Sequence, residues 1–272
     1  MDMTKVLPDE CMSLIVSLTS PRDASRMALV SHAFKSVADS DFVWETFLPF
    51  DYKQILSKST PSFLSLPKKE LYFSLCHRSF LIENDTMSFQ LEKQKGRKCY
   101  MIGARALSIQ WADNSDYWSW ISVPDSRFSE VAKLKKVWRL DVKGKAELKI
   151  LSSKTNYAAY LVFKMVRDRH GFRHTPVELG VSINNNPGTA ASGEEVQMQM
   201  RSVILDPPSK ATQQARERGD GWMEIKMGEF FNECGDQHGN GTVEFHLREV
   251  HDNQPKRGLI IQGIELRPKD NR

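Results

Sequence analysis

Apolar residues in the first fifty positions recur at the spacing of a helix. Leu14 and Ile15 lie four and three residues before Leu18, so the three side chains fall on one helical face. Ser20 and Ser31 each precede another stretch with this spacing, and a serine there can accept a hydrogen bond from the free N–H groups of a first turn. The pattern predicts a series of short helices.

This helical region carries more apolar side chains than about 45 residues bury by themselves. Its last short segment begins at Asp41 and alone contains Phe42, Val43, Trp44 and Phe47. Either the rest of the chain covers these side chains or a partner protein does, and the pattern leaves both alternatives open.

Residues 51–80 mix turn signals with helical spacing. The serine-rich stretch 57–62 interrupts the pattern and contains a proline. Pro67 then opens a helix in which Leu71 and Leu75 lie four residues apart. We predict a helical linker over 51–80.

From about residue 87 the period of the apolar positions changes to two, which is typical of strands with one buried face. The alternating runs are 138–142, 196–200, 223–227, 243–247 and 264–266, and mostly apolar runs occur at 157–163 and 259–261. About nine or ten strands without intervening helices predict an antiparallel sandwich or jelly roll over 81–272. The polar segment 185–220 is predicted to be a long loop interrupted by one strand.

Composition places the chain among globular proteins and adds an expectation about its location. Of its 272 residues, 40% are hydrophobic and 26% are charged, and no run of about 18 apolar residues predicts a membrane span. The first ten residues lack the apolar core of a secretory signal. The cysteines are scattered, which favours free thiols in a reducing compartment: Cys11, Cys76, Cys99 and Cys234. We expect an intracellular protein, cytoplasmic or nuclear, that does not enter a membrane.

Charge is divided unevenly along the chain without forming a basic run. The first fifty residues carry four basic and seven acidic side chains, so their net charge of −3 leaves +7 for the rest of a +4 chain. Basic residues are interleaved with acidic and apolar ones, as at Lys143, Lys145 and Glu147. A mixed, solvated surface is therefore favoured over a nucleic-acid site.

Three of the six tryptophans, Trp111, Trp118 and Trp120, fall within ten residues, beside aspartate and asparagine side chains. Aromatic rings stack on the C–H faces of sugars while carboxylates and amides accept from sugar hydroxyls, so this stretch favours carbohydrate binding. The alternative is that tryptophans fill the core of a sandwich. The polar turn between Trp111 and Trp118 predicts that at least one of them is exposed.

Other chemical sites have weaker support. Two groups of residues have spacings that might suggest a metal ion: His170 with His174, and Cys234 with His238, His246 and His251. No cysteine pair or helical His-Glu context accompanies them, so we expect neither a metal nor a cofactor. The carboxylates available for glycoside hydrolysis fall on predicted strands, where surface acids are expected: Glu224, Glu229, Glu249 and Glu265. With no phosphate-binding glycine loop and no nucleophile elbow, we expect no catalytic residues.

The helical region resembles an F-box in the order and spacing of its residues. The matching stretches are Leu7-Pro8, Leu14-Ile15, Leu18, Pro21-Arg22-Asp23-Ala24, Leu29-Val30-Ser31, Phe34, Ala38-Asp39 and Val43-Trp44. The resemblance implies a three-helix F-box at 1–50 that docks onto a Skp-type adaptor and, through it, a cullin-based ubiquitin ligase. The implied adaptor contacts are Leu7, Pro8, Leu14, Ile15, Leu18, Val30 and Trp44.

The remainder of the chain resembles the phloem protein 2 family, the Nictaba-like plant lectins. The matching blocks are 104–111, 117–120, 157–164, 220–225, 228–232 and 258–265. The resemblance implies a jelly-roll-like sandwich, and sugar-binding members prefer N-acetylglucosamine oligomers or high-mannose N-glycan cores. It places binding tryptophans at Trp111 and Trp118, beside Trp120, and acidic positions at Thr242 and Glu249. Thr242 departs from the family and removes one charge-assisted acceptor.

An F-box followed by such a domain is similar to the phloem protein 2-B group of plant F-box proteins. The resemblance implies a non-catalytic substrate-recognition subunit that holds target glycoproteins near the ligase, where even modest affinity raises the effective concentration for ubiquitin transfer. Two alternatives stay open. In the first, which Thr242 favours, the sandwich binds protein targets without sugar. In the second, the chain is a free-standing lectin whose F-box-like helices are structural.

Overall fold

The chain divides into two compact units, and the computed structural model describes residues 7–57, 61–184, 199–208, 214–233, 241–251 and 254–269. The first unit comprises Met1–Ile82 and Phe89–Cys99, and the second comprises Glu83–Ser88 and Tyr100–Arg272. Within the described ranges, no helix is both long and apolar enough to cross a membrane.

Short helices make up most of the first unit, as the apolar spacing predicts. They are α1 (Asp9–Ser17), α2 (Pro21–Met27), α3 (His32–Ala38), α4 (Asp41–Phe47), α5 (Tyr52–Ser57) and α6 (Lys68–His77). Ser20 accepts a hydrogen bond from the backbone N–H of Asp23, and Ser31 accepts one from that of Phe34, so both predicted N-caps are present. The F-box-like region therefore contains a fourth short helix, α4, after the three that are expected.

Trp44 lies at the centre of the core of the first unit. Its side chain is fully buried, and its ring centroid lies 5.2 Å from those of both Tyr72 and Phe73 on α6 and 5.6 Å from that of Phe47. The indole N–H donates to the backbone oxygen of Ala38, 2.6 Å away. Helix α6, which the sequence places in a linker, thus packs against the F-box-like helices and completes their core.

Antiparallel strands build the second unit, as the period of two predicts. The strands among the described residues are β1 (Phe80–Ile82), β2 (Met87–Leu91), β3 (Lys98–Gly103), β4 (Ser108–Ile109), β5 (Trp118–Ile121), β6 (Val131–Leu134), β7 (Leu140–Glu147), β8 (Thr155–His170), β9 (Val177–Asn184), β10 (Gln199–Val203), β11 (Arg216–Glu217), β12 (Met223–Asn232), β13 (Thr242–Glu249) and β14 (Arg257–Pro268). Two of these strands, β1 and most of β2, belong to the first unit. One sheet has the order β3-β14-β8-β12-β11, with β6 beside β14 and β5 beside β6. The other has the order β10-β9-β13-β7-β4.

The two sheets pack face to face and enclose the core of the second unit. The ring centroid of Phe230 on β12 lies 6.4 Å from that of Phe245 on β13. The sheets approach closely at Gly228, where an added Cβ would lie 2.8 Å from the side chain of Val181 on β9. This arrangement is the antiparallel β-sandwich predicted from the sequence, so the fold class is confirmed.

The strand prediction fails at two places. The alternation assigns Trp138 to a strand, but β7 begins only at Leu140 and Trp138 is 44% exposed on the preceding loop. Alternation indicates which face of a strand a side chain would occupy, but it does not show where strand pairing stops. In the segment 185–220 the structure contains β10 and β11 instead of one strand, while 185–198 and 209–213 lie outside the described residues.

Candidate functional site

The first unit exposes an apolar surface on its N-terminal helices. Helix α1 buries Met12 and Val16, and its packed side contacts α2, α3 and α4. Five apolar side chains of α1 and of the turns after α1 and α2 are between 47% and 86% exposed, and we name them the α1–α2 face: Leu14, Ile15, Leu18, Leu29 and Val30. Exposed apolar residues are ordinary one at a time, but several on adjoining helices are typical of a binding surface.

One of the predicted adaptor contacts is not available at the surface. Four of them belong to the α1–α2 face, Leu7 is half-buried and Pro8 is exposed. Trp44 is 0% exposed, so the prediction that it touches the adaptor is corrected. Its large ring fills the space between α4 and α6 and its N–H is already bonded inside the unit, which makes it a core residue.

In the second unit, residues 110–117 form a turn that presents Trp111 to solvent. The backbone of Trp111 is left-handed, with φ of 61°, and its side chain is 43% exposed. The N–H of Asn114 donates to the backbone oxygen of Trp111, and that of Tyr117 to the oxygen of Asn114, at 3.0 and 3.1 Å. The Tyr117 ring supports the indole at 5.3 Å between centroids. The turn therefore holds a flat aromatic surface in a fixed orientation.

The same turn carries polar groups that can accept hydrogen bonds. The side chains of Asp113 and Asp116 are exposed, and among the described residues neither has an ionic partner. The Asn114 side-chain oxygen accepts from the N–H of Asp116 at 2.8 Å, and the Lys135 ammonium donates to the backbone oxygen of Ser115 at 2.7 Å. The two carboxylates are thus exposed on the same turn as Trp111 and can accept hydrogen bonds.

The other two tryptophans of the predicted site have different environments. Trp118 is 2% exposed, and its indole N–H donates to the backbone oxygen of Gln110 at 3.1 Å. The prediction that Trp118 stacks on a ligand is therefore corrected, because this ring fills the core and supports the turn. Trp120 is half-buried beside the guanidinium of Arg105, which lies 3.7 Å from its ring and donates twice to Glu130.

The strand register separates the two acidic family positions. Thr242 and Glu249 are the first and last residues of β13, so at about 3.4 Å per residue they lie roughly 24 Å apart. The turn with Trp111 meets β7 where the N–H of Gln110 donates to the backbone oxygen of Asp141, which is opposite the residue before Glu249. Thr242 is at the far end of the strand, so its departure from the family pattern does not affect a ligand at Trp111.

Glu249 lies at the correct end of β13 but does not face a ligand. Its side chain is 4% exposed and forms an ion pair with Lys256, which is fully buried. The Lys256 ammonium also donates to the backbone oxygens of Trp138 and Gln254, at 2.9 and 3.0 Å. The prediction that Glu249 binds sugar directly is corrected, because its charge is compensated by Lys256 inside the protein. The ion pair joins the loop before β7 to the loop after β13.

Trp138 is a second exposed tryptophan at this end of the sandwich, and the sequence pattern did not single it out. The Lys136 ammonium lies 4.8 Å from the centroid of its ring. The backbone N–H of Lys135 donates to the oxygen of Tyr117 at 2.8 Å, which attaches the Trp138 loop to the turn carrying Trp111. The two adjacent lysines before it are the signal that this tryptophan lies outside a buried strand.

Two carboxylates that were expected at the surface belong to a buried ionic network. Glu265 pairs with Arg127 and Arg218 at 2.7 and 2.6 Å, and Glu224 pairs with Arg218 and Arg267 at 3.1 and 2.8 Å. Burial disfavours the charged form of Glu265, but the arginines outweigh it and hold the pKa of that carboxyl below its usual value. The acid of a glycosidase needs a pKa shifted in the opposite direction.

The thiols and histidines give no metal centre in the part of the chain that the structure describes. No three His, Cys, Asp or Glu side chains are grouped there as metal ligands. Cys234 and His238, which the sequence places near other potential ligands, lie outside the described residues. Burial raises the pKa of the Cys76 thiol to about 12, so this cysteine stays protonated near neutral pH.

Known proteins match both units of the chain. The family described as "Phloem protein 2" matches residues 97–268, and the one described as "F-box-like" matches residues 4–48. The chain is 42% identical over 264 residues to F-box protein PP2-B10 of Arabidopsis thaliana, covering 96% of this chain and 92% of that protein. It is 40% identical over 277 residues to F-box protein PP2-B5 of the same plant, covering 98% of this chain and 87% of that protein.

Among solved structures, the chain is similar to the CBM22-2 xylan-binding domain of Paenibacillus barcinonensis Xyn10C. The identity is 9%, the match covers 60% of this chain and 92% of that one, and the TM-score is 0.35, a likeness on which we base nothing further. The family matches and the relatives, by contrast, extend over nearly the whole chain. The chain therefore belongs to the phloem protein 2 family, in its group of plant F-box proteins.

Proposed function

We propose that this chain is the substrate-recognition subunit of a Skp–cullin–F-box ubiquitin ligase in the cytoplasm or nucleus. In this role it has no chemistry of its own. The first unit binds a Skp-type adaptor, and the sandwich binds carbohydrate on target glycoproteins. The strongest support is the α1–α2 face, because five apolar side chains are left in solvent on helices whose other side is packed.

Covering the α1–α2 face provides the free energy for adaptor binding. Fully burying an apolar side chain of this size is worth about 1.5–3 kcal/mol relative to leaving it exposed. Leu18 and Val30 are 79% and 69% exposed, so most of that free energy is still available to a partner. A few such anchors carry most of the affinity of an ordinary protein interface.

We expect Leu18→Asp with Val30→Asp to weaken binding to a Skp-type adaptor at least tenfold. Each change leaves a charge in a desolvated contact, while neither side chain contributes to the core. Co-purification with an Arabidopsis Skp-type adaptor measures the effect. Phe42→Asp is the matched control, because Phe42 is 57% exposed on α4 and was not predicted to touch the adaptor. Equal recovery of the adaptor by the double variant and by the wild-type chain would refute this assignment.

The carbohydrate part of the proposal depends on the turn at 110–117. Trp111 supplies the stacking surface, Tyr117 holds it, and Asp113 and Asp116 supply acceptors for hydroxyl groups. The family resemblance favours N-acetylglucosamine oligomers or N-glycan cores as ligands. A single exposed ring with two solvated carboxylates gives modest affinity, which a receptor that only raises local concentration tolerates.

We expect Trp111→Ala to reduce binding to chitin oligomers or N-glycan cores at least tenfold on a glycan array. The substitution removes the stacking surface, and alanine is no more strained than tryptophan in the left-handed backbone at this position, so we expect the fold to be retained. Phe231→Ala is the control, because it removes an aromatic side chain of the same exposure, 43%, from β12. Unchanged glycan binding by the Trp111 variant would remove Trp111 from the site.

Protein targets recognised without sugar are the second candidate for the sandwich. This alternative is favoured by the ion pair between Glu249 and Lys256, which withdraws one carboxylate from any ligand. The same array distinguishes the two, because a folded wild-type chain that binds no glycan would favour the protein-surface alternative. Adaptor binding by the first unit would be unaffected.

A further inference from the structure

The end of β8 and the turn that follows it contain an unusual density of basic side chains. Five of the nine residues 167–175 are arginine or histidine, and all five are exposed: Arg167, Arg169, His170, Arg173 and His174. They line a cavity of about 450 Å³, together with Asp206 from the segment after β10. This volume lies within the range of small-ligand sites. We name this cavity the 167–175 pocket.

The two nearby carboxylates are already paired, one with Arg169 and the other with an arginine outside this group. Asp206 accepts a hydrogen bond from Arg169 at 2.7 Å, and this bond raises the pKa of the Arg169 guanidinium. Asp168 pairs with Arg257 at 2.9 Å. In contrast, Arg167 and Arg173 have no acidic partner within the described ranges. The pocket therefore presents two guanidinium groups whose charge is not compensated.

We propose that the 167–175 pocket binds a phosphate group carried by a protein segment. With both histidines neutral, its three arginines and one aspartate give a net charge of +2. A phosphorylated side chain carries about −1.5 to −2 at pH 7 and three strong acceptor oxygens, so its charge matches that of the pocket. Arginine is suited to it because its fork of N–H donors binds phosphate in a bidentate way.

A neighbouring cavity favours a peptide as the carrier of the phosphate. This cavity of about 510 Å³ shares Arg173 and His174 with the 167–175 pocket, and its other wall includes Val203 and Ile204 with three prolines. An anion site adjoining a mainly apolar groove fits a phosphorylated residue with apolar residues on one side of it. The groove lies beside β10, the outer strand of its sheet among the described strands, where an extended segment can align.

The same walls are poorly suited to nucleic acid. Single-stranded nucleic acid binding depends on exposed aromatic rings that stack with bases. Among the residues lining the 167–175 pocket, Phe172 carries the phenyl ring, and it is 1% exposed. The stacking available there is that of histidine and arginine side chains, and the adjoining cavity is walled mainly by apolar residues and not by a basic track that would follow a strand.

This site is separate from the turn that carries Trp111. The turn follows β4, whereas the pocket adjoins β9, and β7 and β13 lie between those two strands. At about 4.8 Å per strand, the separation is roughly 14 Å across the sheet. Phosphate recognition therefore requires neither carbohydrate binding nor adaptor binding, and each is tested by different variants.

The test compares binding of four probes to the full chain by fluorescence anisotropy and calorimetry. The probes are a peptide library with a fixed central phosphoserine, the same library with serine, inorganic phosphate, and a single-stranded oligonucleotide. The variant is Arg167→Gln with Arg173→Gln. The control is Arg22→Gln with Arg78→Gln, which removes the same charge from two exposed arginines of the first unit. Thermal melting of both variants verifies that they remain folded.

We expect the phosphoserine library to bind at least tenfold more tightly than the serine library, with this preference lost in the Arg167/Arg173 variant and kept in the control. Tighter binding of phosphopeptide than of inorganic phosphate identifies a phosphorylated protein as the source. Equal or tighter binding of inorganic phosphate would overturn the peptide assignment and leave a site for the free anion. Equal binding of the two libraries would overturn the proposal. So would an oligonucleotide that binds more tightly than the phosphopeptides and depends on the same arginines.

Discussion

Replacing Trp44 with alanine is expected to destabilise the first unit by about 3–5 kcal/mol, the range for truncating a fully buried large aromatic side chain. The loss comes from a cavity between α4 and α6, where the indole packs against Tyr72 and Phe73. It also leaves the backbone oxygen of Ala38 without the indole N–H that it accepts from. A loss of this size is a large fraction of the stability of a small helical unit.

Native-state hydrogen exchange of the full chain measures this loss, because peptides from α3 and α4 report on the first unit and peptides from β8 on the second. Two variants serve as references. Phe42→Ala removes a ring that is 57% exposed on the same helix, and it is expected to change the stability by less than about 0.5 kcal/mol. Trp44→Phe keeps a ring but loses the hydrogen bond, so an intermediate loss of about 1–2 kcal/mol is expected. A Trp44→Ala variant as stable as Phe42→Ala would contradict the core assignment.

The same variants separate folding from contact in adaptor binding. If Trp44 acts only through the core, Trp44→Phe retains adaptor binding while Leu18→Asp with Val30→Asp loses it. If Trp44 instead touches the adaptor, Trp44→Phe weakens binding without a matching loss of exchange protection. Loss of adaptor binding after replacement of an F-box tryptophan is therefore evidence of direct contact only when the stability of the unit is measured in the same variant.

Features that depend on neighbouring residues were predictable from the sequence. The N-caps at Ser20 and Ser31 follow from local hydrogen bonding, since a serine side chain reaches the N–H three residues ahead. The sandwich follows from the period of two, because alternate side chains of a strand face opposite sides of a sheet. Both kinds of signal are contained within a few residues of sequence.

Whether an individual apolar residue is buried or exposed was not predictable in the same way. Leu18 and Trp44 are both large apolar residues of the F-box motif, yet one is 79% exposed and the other is fully buried. The difference arises from α6, whose residues Tyr72 and Phe73 cover Trp44 from a distance of about thirty positions along the chain. Likewise Trp111 and Trp118 differ because the turn between them reverses the chain and directs only Trp111 outward.

Breaking the ion pair between Glu249 and Lys256 is expected to destabilise the second unit by about 3–5 kcal/mol. Both side chains are buried, at 4% and 0% exposure, so Glu249→Leu leaves an ammonium group without its counter-charge. Lys256→Met leaves the carboxylate in the same position and also removes the donor to the backbone oxygen of Trp138. No sequence signal pointed to this pair, because its members are joined by a loop and neither residue type is normally buried.

A double-mutant cycle distinguishes a coupled pair from two independent effects. Glu249→Leu combined with Lys256→Met removes both charges, and replacing a buried ion pair by apolar side chains is often close to neutral. We therefore expect the double variant to be no less stable than the worse single variant, which corresponds to a coupling energy of about 3 kcal/mol or more, at least the smaller of the two single losses. Guanidinium unfolding, monitored by hydrogen exchange in β7 and β13, gives the free energy of unfolding of the wild-type chain, the two single variants and the double variant. Losses that simply add would show that the two side chains do not act as a pair.

Glu244→Ala is the control for this cycle, since Glu244 lies on the same strand and pairs with Lys145 at 3.7 Å in solvent. An exposed pair contributes less than about 1 kcal/mol, so this variant should remain close to the wild-type stability. The result also bears on carbohydrate binding. If Glu249 only joins the loops before β7 and after β13, the double variant keeps its affinity for glycans in the folded fraction. A folded double variant that has lost glycan binding would return Glu249 to the ligand site.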